Sequence, residues 1–432
     1  MHSIWSATTK REPHPPLKQD IETNVLIIGG GMCGVLTAYF LKEAGVRTVI
    51  VEAKEIGSGT TKNTTAKITA QHGLIYADLI KRFGTEKARQ YYEANTQAIA
   101  RYHTLSQTFP CDFEHKTAHV YARDHRDKLL RELDAYQKLN IPATFEETLP
   151  LPLSTVGAIA MADQAQFHPL KLLYALADTL NIYENTLVHQ IEGNVARTSQ
   201  GKIKAEHIVL ATHYPLVNIP GRYFLKLYQH RSYVLALKNA AAFRGMYIDE
   251  AEDGFSFRLY DDLLFIGGGA HRTGKSGGGY NTLSQFAEKS YPEAVPEYTW
   301  ATQDCMSLDK IPYIGRHRRG KERLYVATGF GKWGMTSSMV AAELLSDLIL
   351  GKKNEYEILF DPGRSILSRQ LFANIGAAVA GLASLGAPRC SHMGCKLKKN
   401  SAESTWDCPC HGSRFTTCGQ VIDNPAKREI RR

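Results

Sequence analysis

Six residues near the start of the chain leave it little choice of fold. Gly29-Gly30-Gly31-Met32-Cys33-Gly34 joins a short apolar run, Asn24–Ile28, to a stretch of helical character, Val35–Ala44, which Gly45 closes. The run "RTVIVEA", Arg47–Ala53, then supplies a second strand, so the segment reads as a βαβ unit. In Gly29-x-Gly31-x-x-Gly34 the first glycine permits the tight turn and the second lets the backbone approach a pyrophosphate. The third lets helix and strand pack closely, and the helix N-terminus attracts the phosphate charge. Glu52 ends the second strand, where a carboxylate accepts from a ribose hydroxyl. A lone GxGxxG says little; strand, helix, second strand and acid in register point to a bound nucleotide.

The stretch after Glu52, "AKEIGSGTTKNTTAKIT", is rich in Gly, Ser and Thr and offers backbone and hydroxyl donors to further phosphate and ribityl oxygens. Near the end, "LYVATGFGKWGMTSS" repeats the plan of strand, glycines and helix start; a helix N-terminus there stabilises negative charge on a ring edge. A nicotinamide enzyme has no need of this second site. Between the two, β-like runs crowd residues 200–270 and residues 74–140 are helix-rich.

The 432 residues, 43% hydrophobic and 22% charged, suit an ordinary globular protein of two or three domains. A net charge of +9, with small clusters at Arg316–Arg319 and Lys396–Lys399, reads as a solvated surface rather than a nucleic-acid site. It also suits steering towards an acidic electron-transfer partner. The opening, "MHSIWSATTKREPHPPLKQD", lacks the basic-then-apolar pattern of a secretory leader and reads as a surface arm, so a cytoplasmic protein is expected. Eight cysteines gathered mostly at one end point to metal or redox chemistry rather than a disulfide scaffold.

Together "VLIIGGGMCG", Glu52, the loop around Thr60–Thr65, "HIVLATH" at 207–213 and "IPYIG…LYVATGFGKWGM" at 311–335 resemble the FAD-dependent oxidoreductases of the D-amino-acid oxidase and glycine oxidase superfamily, over roughly residues 20–350. The resemblance implies an α/β fold: a Rossmann-like FAD-binding domain and a mixed β-sheet substrate domain over the flavin ring. It implies oxidation of a C–N bond of an amine or amino acid by hydride transfer to the flavin. It also implies FAD contacts from Gly29, Gly31, Gly34, Glu52, Thr60, Thr61, Gly329, Gly331, Gly334, Met335 and Thr336, and from the Val188 backbone on the adenine side. Relatives that oxidise amino acids carry an arginine where this chain has Asp304. An acid there suits a cationic amine, and a surface acid is the plainer alternative. Arg258 in "SFRLYDD" is a candidate for a substrate carboxylate. His230, Arg231 and Tyr233 are pocket candidates, and Cys305 raises a covalent flavin link.

"CSHMGC", Cys390–Cys395, and "CPCHGS", Cys408–Ser413, place two thiols and two imidazoles at Cys390, His392, Cys408 and His411. Such a set suits tetrahedral zinc or a [2Fe–2S] centre with two Cys on one iron and two His on the other. Cys395 and Cys410 lie where a disulfide could pin the loops. The full pattern resembles the high-potential Rieske proteins of cytochrome bc complexes. That resemblance implies those four residues as ligands, a Cys395–Cys410 bridge, and no partner for Cys418. An electron-carrier protein or a quinone then becomes a partner beside the small substrate. Only about 43 residues follow Cys390, near the size at which a chain needs outside support. Leu371, Ile375, Val379, Leu382 and Leu385 recur at helical spacing and predict a helix that docks the lobe through this stripe, not one that spans a membrane. The expected division is an arm at 1–22, the flavin unit at 23–350, connector and docking helix at 351–388, and cluster lobe at 389–432. Oxidase chemistry with a structural or sensing cluster, and a non-catalytic electron relay, are the alternatives.

Overall fold

The computed structural model describes residues 2–218, 221–240, 243–317, 323–365, 367, 369–384, 386 and 388–430. The chain builds two large sheets alternately. Ile21–Ile28 and Thr48–Val51 enter the first; Glu114–Ala122 and Gly157–Gln166 enter the second. Ile182–Tyr183 to Lys202–Leu210 return to the first, Leu227–Lys238 to Val295–Ser307 belong to the second, and Tyr313–Arg316 and Leu324–Thr328 close the first. The eight-stranded first sheet runs parallel through its centre, with Ile21–Ile28 between Lys202–Leu210 and Thr48–Val51. Its central strands are almost continuously buried, as strands covered on both faces must be. Helices Met32–Glu43 and Gly334–Ile349 pack on one another beside it.

The nine-stranded second sheet is antiparallel except where Met246–Asp249 runs beside Glu114–Ala122. Its longest pairing, Leu227–Lys238 with Val295–Ser307, sets His230 opposite Asp304. A third, four-stranded antiparallel sheet, Lys398–Asn400, Thr405–Asp407, Arg414–Phe415 and Val421–Asp423, forms the C-terminal lobe. The lobe's buried apolar residues are Cys390, Cys395, Leu397, Cys408, Cys410, Phe415 and Ala426, so cysteines make up most of its small core.

Two expectations are corrected. The N-terminal segment is not merely a surface arm. Helix Ile4–Thr8 buries Trp5 completely, and the indole Nε1 donates to the Thr64 carbonyl at 2.7 Å. Further on, Leu17 is also fully buried, and Arg11 pairs with the buried Glu184. Helix Arg369–Ala383 does dock, but of the predicted stripe only Leu371 is buried among the described residues. Ile375, Val379 and Leu382 are 40%, 60% and 44% exposed, and Leu385 lies outside the described residues. The face that packs carries Leu371, Asn374 and Gly381. Asn374 Oδ1 accepts from Arg272 at 2.9 Å, and a side chain on Gly381 would stand 2.6 Å from Cys410 Sγ. A small residue and an amide decided the seating, because close approach to the Cys395–Cys410 pair leaves no room for a bulky stripe. Among the described residues no helix is long and apolar enough to cross a membrane.

Candidate functional site

The glycine-rich turn opens onto a cavity of about 1520 Å³ that runs between the two large sheets. Gly29 has φ +115°, and a side chain there would run into the Ala211 carbonyl. A Cβ on Gly34 would strike the Gly29 carbonyl, so Gly34 serves helix–strand packing and stays off the wall. Gly31 faces the cavity at the start of helix Met32–Glu43. Glu52 also lines it, but its carboxylate accepts from the Gly30 and Lys54 amides at 2.8 and 2.9 Å and thereby braces the turn. Thr61 accepts from the Met32 amide at 3.1 Å, and Thr60 and Val188 join the same wall.

At the far end Gly329, Gly331, Gly334 and Met335 line the cavity. Thr336 does not. Its hydroxyl is held by the Thr69 backbone at 3.1 and 3.0 Å, so the side chain braces the protein and is not turned to the cavity. Some buried side-chain atoms without a protein partner belong to residues of this wall, Thr302 Oγ1 among them. Open glycines, a helix N-terminus and unpaired donors suit a dinucleotide with a second ring system.

The substrate candidates separate. Asp304 is buried on the wall, not a surface acid; burial lifts its carboxyl to about 6 against the pull of Lys332 and Arg231. His230, opposite it, is held neutral, its pKa pushed down to about 3 chiefly by burial, and its Nδ1 lacks a partner. Tyr233 lines the cavity with its hydroxyl 3.1 Å from His271 Nε2. Arg231 reaches the wall but is ion-paired with Glu403. Arg258 is corrected: it is fully buried among the rings of Trp5, Tyr260 and Phe265, donates to the Thr65 carbonyl, and does not line the cavity. Cys305 points away into apolar packing, and burial raises its thiol to about 12, which disfavours the thiolate a covalent link needs. Lys67 was missed. It is buried on the wall, and burial, Arg258 and Lys332 pull it down to about 7. Its only sequence signal is a lysine inside the otherwise apolar beat of "TAKIT".

The C-terminal lobe completes the cavity: Glu403, Arg414 and residues 421–427 share its wall with Gly31 and Asp304. Polar clamps hold the lobe there. Gln229 donates to the His411 and Asn424 carbonyls, both at 3.2 Å, and Gln303 to the Gly412 carbonyl at 3.0 Å. Asn424 donates to the Thr212 carbonyl at 2.8 Å, and Glu403 bridges Arg231 of the body and Arg414 of the lobe.

The two Cys/His loops close identically. Cys390 N–H donates to the Cys395 carbonyl and Gly394 N–H returns to Cys390, each at 2.9 Å; Cys408 with Ser413 and Gly412 repeats this at 2.8 and 3.0 Å. Gly394 and Gly412 supply φ +81° and +79°. The paired loops bring His392 and His411 to 5.0 Å between ring centres, nearly perpendicular. Burial first, then Lys427, lowers His392 to about 4; burial first, with His392 and Arg272 nearby, lowers His411 to about 3, so both are neutral, as ligands must be. His411 Nε2 faces the Phe224 carbonyl at 3.2 Å and His392 Nε2 faces Asn218 at 3.4 Å. Both Nδ1 atoms are buried without a partner. Cys408 donates to Cys390 and, with backbone amides of the loop, draws it down to about 6, while that neighbouring charge holds Cys408 protonated. The Sγ atoms of Cys395, Cys408 and Cys410 lie within 4.8 Å, but Cys395 and Cys410 are paired as a disulfide with Cα atoms 6.8 Å apart. That leaves Cys408 free of the three. Two thiols and two unpaired Nδ1 atoms therefore fit a mixed Cys/His iron–sulfur centre. Cys418 is exposed.

Comparison with known proteins agrees with this geometry. The DAO family model, FAD dependent oxidoreductase, matches residues 24–348, and the Rieske [2Fe-2S] domain model matches residues 383–432. The chain is 37% identical to the Rieske-type iron–sulfur protein YhfW of Bacillus subtilis, over 99% of this chain and 97% of that one. It is 21% identical to gamma-glutamylputrescine oxidoreductase of Escherichia coli, over 86% and 95%. Its fold superposes on glycine oxidase from Geobacillus kaustophilus with a TM-score of 0.68 at 20% identity, covering 80% of this chain and all of that one. The chain belongs to the DAO family of FAD-dependent oxidoreductases and carries a C-terminal Rieske [2Fe–2S] domain.

Proposed function

We propose that this enzyme oxidises a C–N bond of a small cationic amine, or of an amino acid bound through its ammonium, and passes the electrons to its own Rieske cluster. The observation that carries the reading is the shared wall: residues 421–427 of the lobe line the same cavity as the glycine-rich turn and Asp304. Bound FAD supplies the two-electron acceptor and the cluster a one-electron carrier of raised potential, about −150 to +300 mV for His-ligated centres. The chain's own residues do the rest. Asp304 presents a carboxylate to the ammonium, and the buried, neutral His230 across the strand accepts a hydrogen bond without adding charge. Glu403 pairs with both Arg231 and Arg414, and Asp407 and Asp423 pair with Arg414 as well, so the three acids together take both cations out of competition for a carboxylate. Tyr214 stands on the cavity wall and meets the His392 ring edge-on at 6.3 Å, a packed bridge towards the ligand loops.

Cys390, His392, Cys408 and His411 are proposed as the ligands, with Cys395–Cys410 pinning their loops. An electron-carrier protein or a quinone is the proposed outlet. Anaerobic mixing with a panel of amines and amino acids tests the reading. Loss of flavin absorbance with release of the carbonyl product after imine hydrolysis supports it. No response to any amine, with reduction only by protein reductants, leaves an electron relay instead.

A further inference from the structure

The outward face of helix Arg369–Ala383 is at odds with a surface that meets only water. Phe372, Ile375, Val379 and Leu382 are 68%, 40%, 60% and 44% exposed, and Leu367 just before the helix is 75% exposed. At 100° per residue the four helical positions fall within an arc of about 80°, so they form one stripe over three turns. Scattered apolar residues are ordinary on a surface; an apolar stripe of this kind marks something it meets.

The surrounding charge identifies the occupant. Residues 369–402 contain Arg369, Arg389, Lys396, Lys398 and Lys399 and no Asp or Glu, while Arg364 just before them is spent on Asp309. Lys398 and Lys399 are exposed on the strand that follows the first ligand loop. Lys396 comes up against the end of the helix: its amide donates to the Gly381 carbonyl at 3.0 Å. The next acid, Glu403, is already held by Arg231 and Arg414. We infer that this face is a docking site for an anionic lipid surface, with the stripe entering the acyl boundary and the basic rim meeting the headgroups. A second copy of the chain fits less well, since a two-fold contact would set the basic rim against itself. An acidic protein would match the rim but must also offer a groove fitted to three turns of aliphatic side chains, whereas a bilayer needs no fitted groove. The helix has 15 residues, too few to span, and its other face is already used against the body. Docked this way, the helix lies between the membrane and the Cys395–Cys410 pair, which Gly381 approaches from the helix's inner face.

The inference needs neither cofactor nor the electron-outlet reading. The full-length holoprotein is sedimented with phosphatidylcholine vesicles with and without phosphatidylglycerol. Binding is expected only to the anionic vesicles. It should fall about a hundredfold in Lys396→Gln/Lys398→Gln/Lys399→Gln, at about 1 kcal/mol per basic residue, and at least about tenfold in Phe372→Ser/Val379→Ser. Both serine sites are exposed, so flavin absorbance and melting temperature should stay put. As a second readout, Phe372→Trp should shift its fluorescence to the blue on anionic vesicles. Equal binding to neutral vesicles, no binding to either, or a concentration-dependent dimer that the serine variant abolishes would each overturn it.

Discussion

The flavin body and the cluster lobe solve the same problem by opposite means. The body buries a large apolar core with Trp5, Trp300 and many aliphatic side chains closed inside it. The lobe has seven buried apolar residues, four of them cysteines, and gains the rest of its support from outside. Its ion network, Arg231–Glu403–Arg414 with Asp407 and Asp423, and the amides of Gln229, Gln303 and Asn424 do what side-chain packing does in the body. A unit of this size rarely stands on its own core. The difference ties the lobe's fold, its cluster and its position over the cavity into one property, and leads us to expect a body whose fold does not depend on them.

The sharpest way to break the comparison is to empty the cluster. Cys408→Ser should abolish the iron–sulfur signal in the electron paramagnetic resonance spectrum and expose residues 389–430 to protease, with bound flavin retained. Concerted loss of flavin would contradict the body's independence. Next comes Glu403→Ala, which strands Arg231 in a buried position. Breaking a buried pair in this way costs about 3 kcal/mol. Hydrogen exchange should speed up across the lobe sheet by roughly a hundredfold while the central strands of the body hold.

Asp304→Asn tests the body's side of the shared wall. Loss of a charge-assisted hydrogen bond of about 2 kcal/mol should raise KM for a cationic amine at least tenfold and leave the cluster spectrum unchanged. In the wild type the carboxyl is lifted to about 6, so it ionises as pH rises through that value. KM should therefore fall across the same window, and the Asn variant should lose that dependence. The smallest effect belongs to Ile375→Asp. Because Ile375 faces outward, lobe stability should change by less than about 0.5 kcal/mol in solution. Loosening of the lobe would restore the stripe as a docking surface.

Much of this was readable from particular residues. Gly29, Gly31 and Gly34 hold the three places their spacing implies, since the turn and the Gly34–Gly29 contact are local geometry, although Ala211, which a side chain on Gly29 would strike, is distant in sequence. The two ligand loops were equally readable, because their closure depends on Gly394 and Gly412 at fixed offsets from Cys390 and Cys408. What could not be read was decided by distant partners. Arg258 is enclosed by Trp5, more than two hundred positions away, and no pattern around "SFRLYDD" points to it. Thr336 is captured by Thr69 in the same manner. Helical spacing in 371–385 gave the helix but not its buried side, because a face of Gly, Ala and Asn packs as closely as a face of Ile and Val when a disulfide lies beneath it.

In the proposed function the two redox sites are wired to each other through the shared wall. Rapid-freeze quenching after anaerobic mixing with a reducing amine, read by electron paramagnetic resonance, addresses it most directly. The reduced cluster signal should grow as the flavin is reduced, within a single turnover and without dioxygen. A fully reduced flavin beside a cluster that stays oxidised until air is admitted would contradict it.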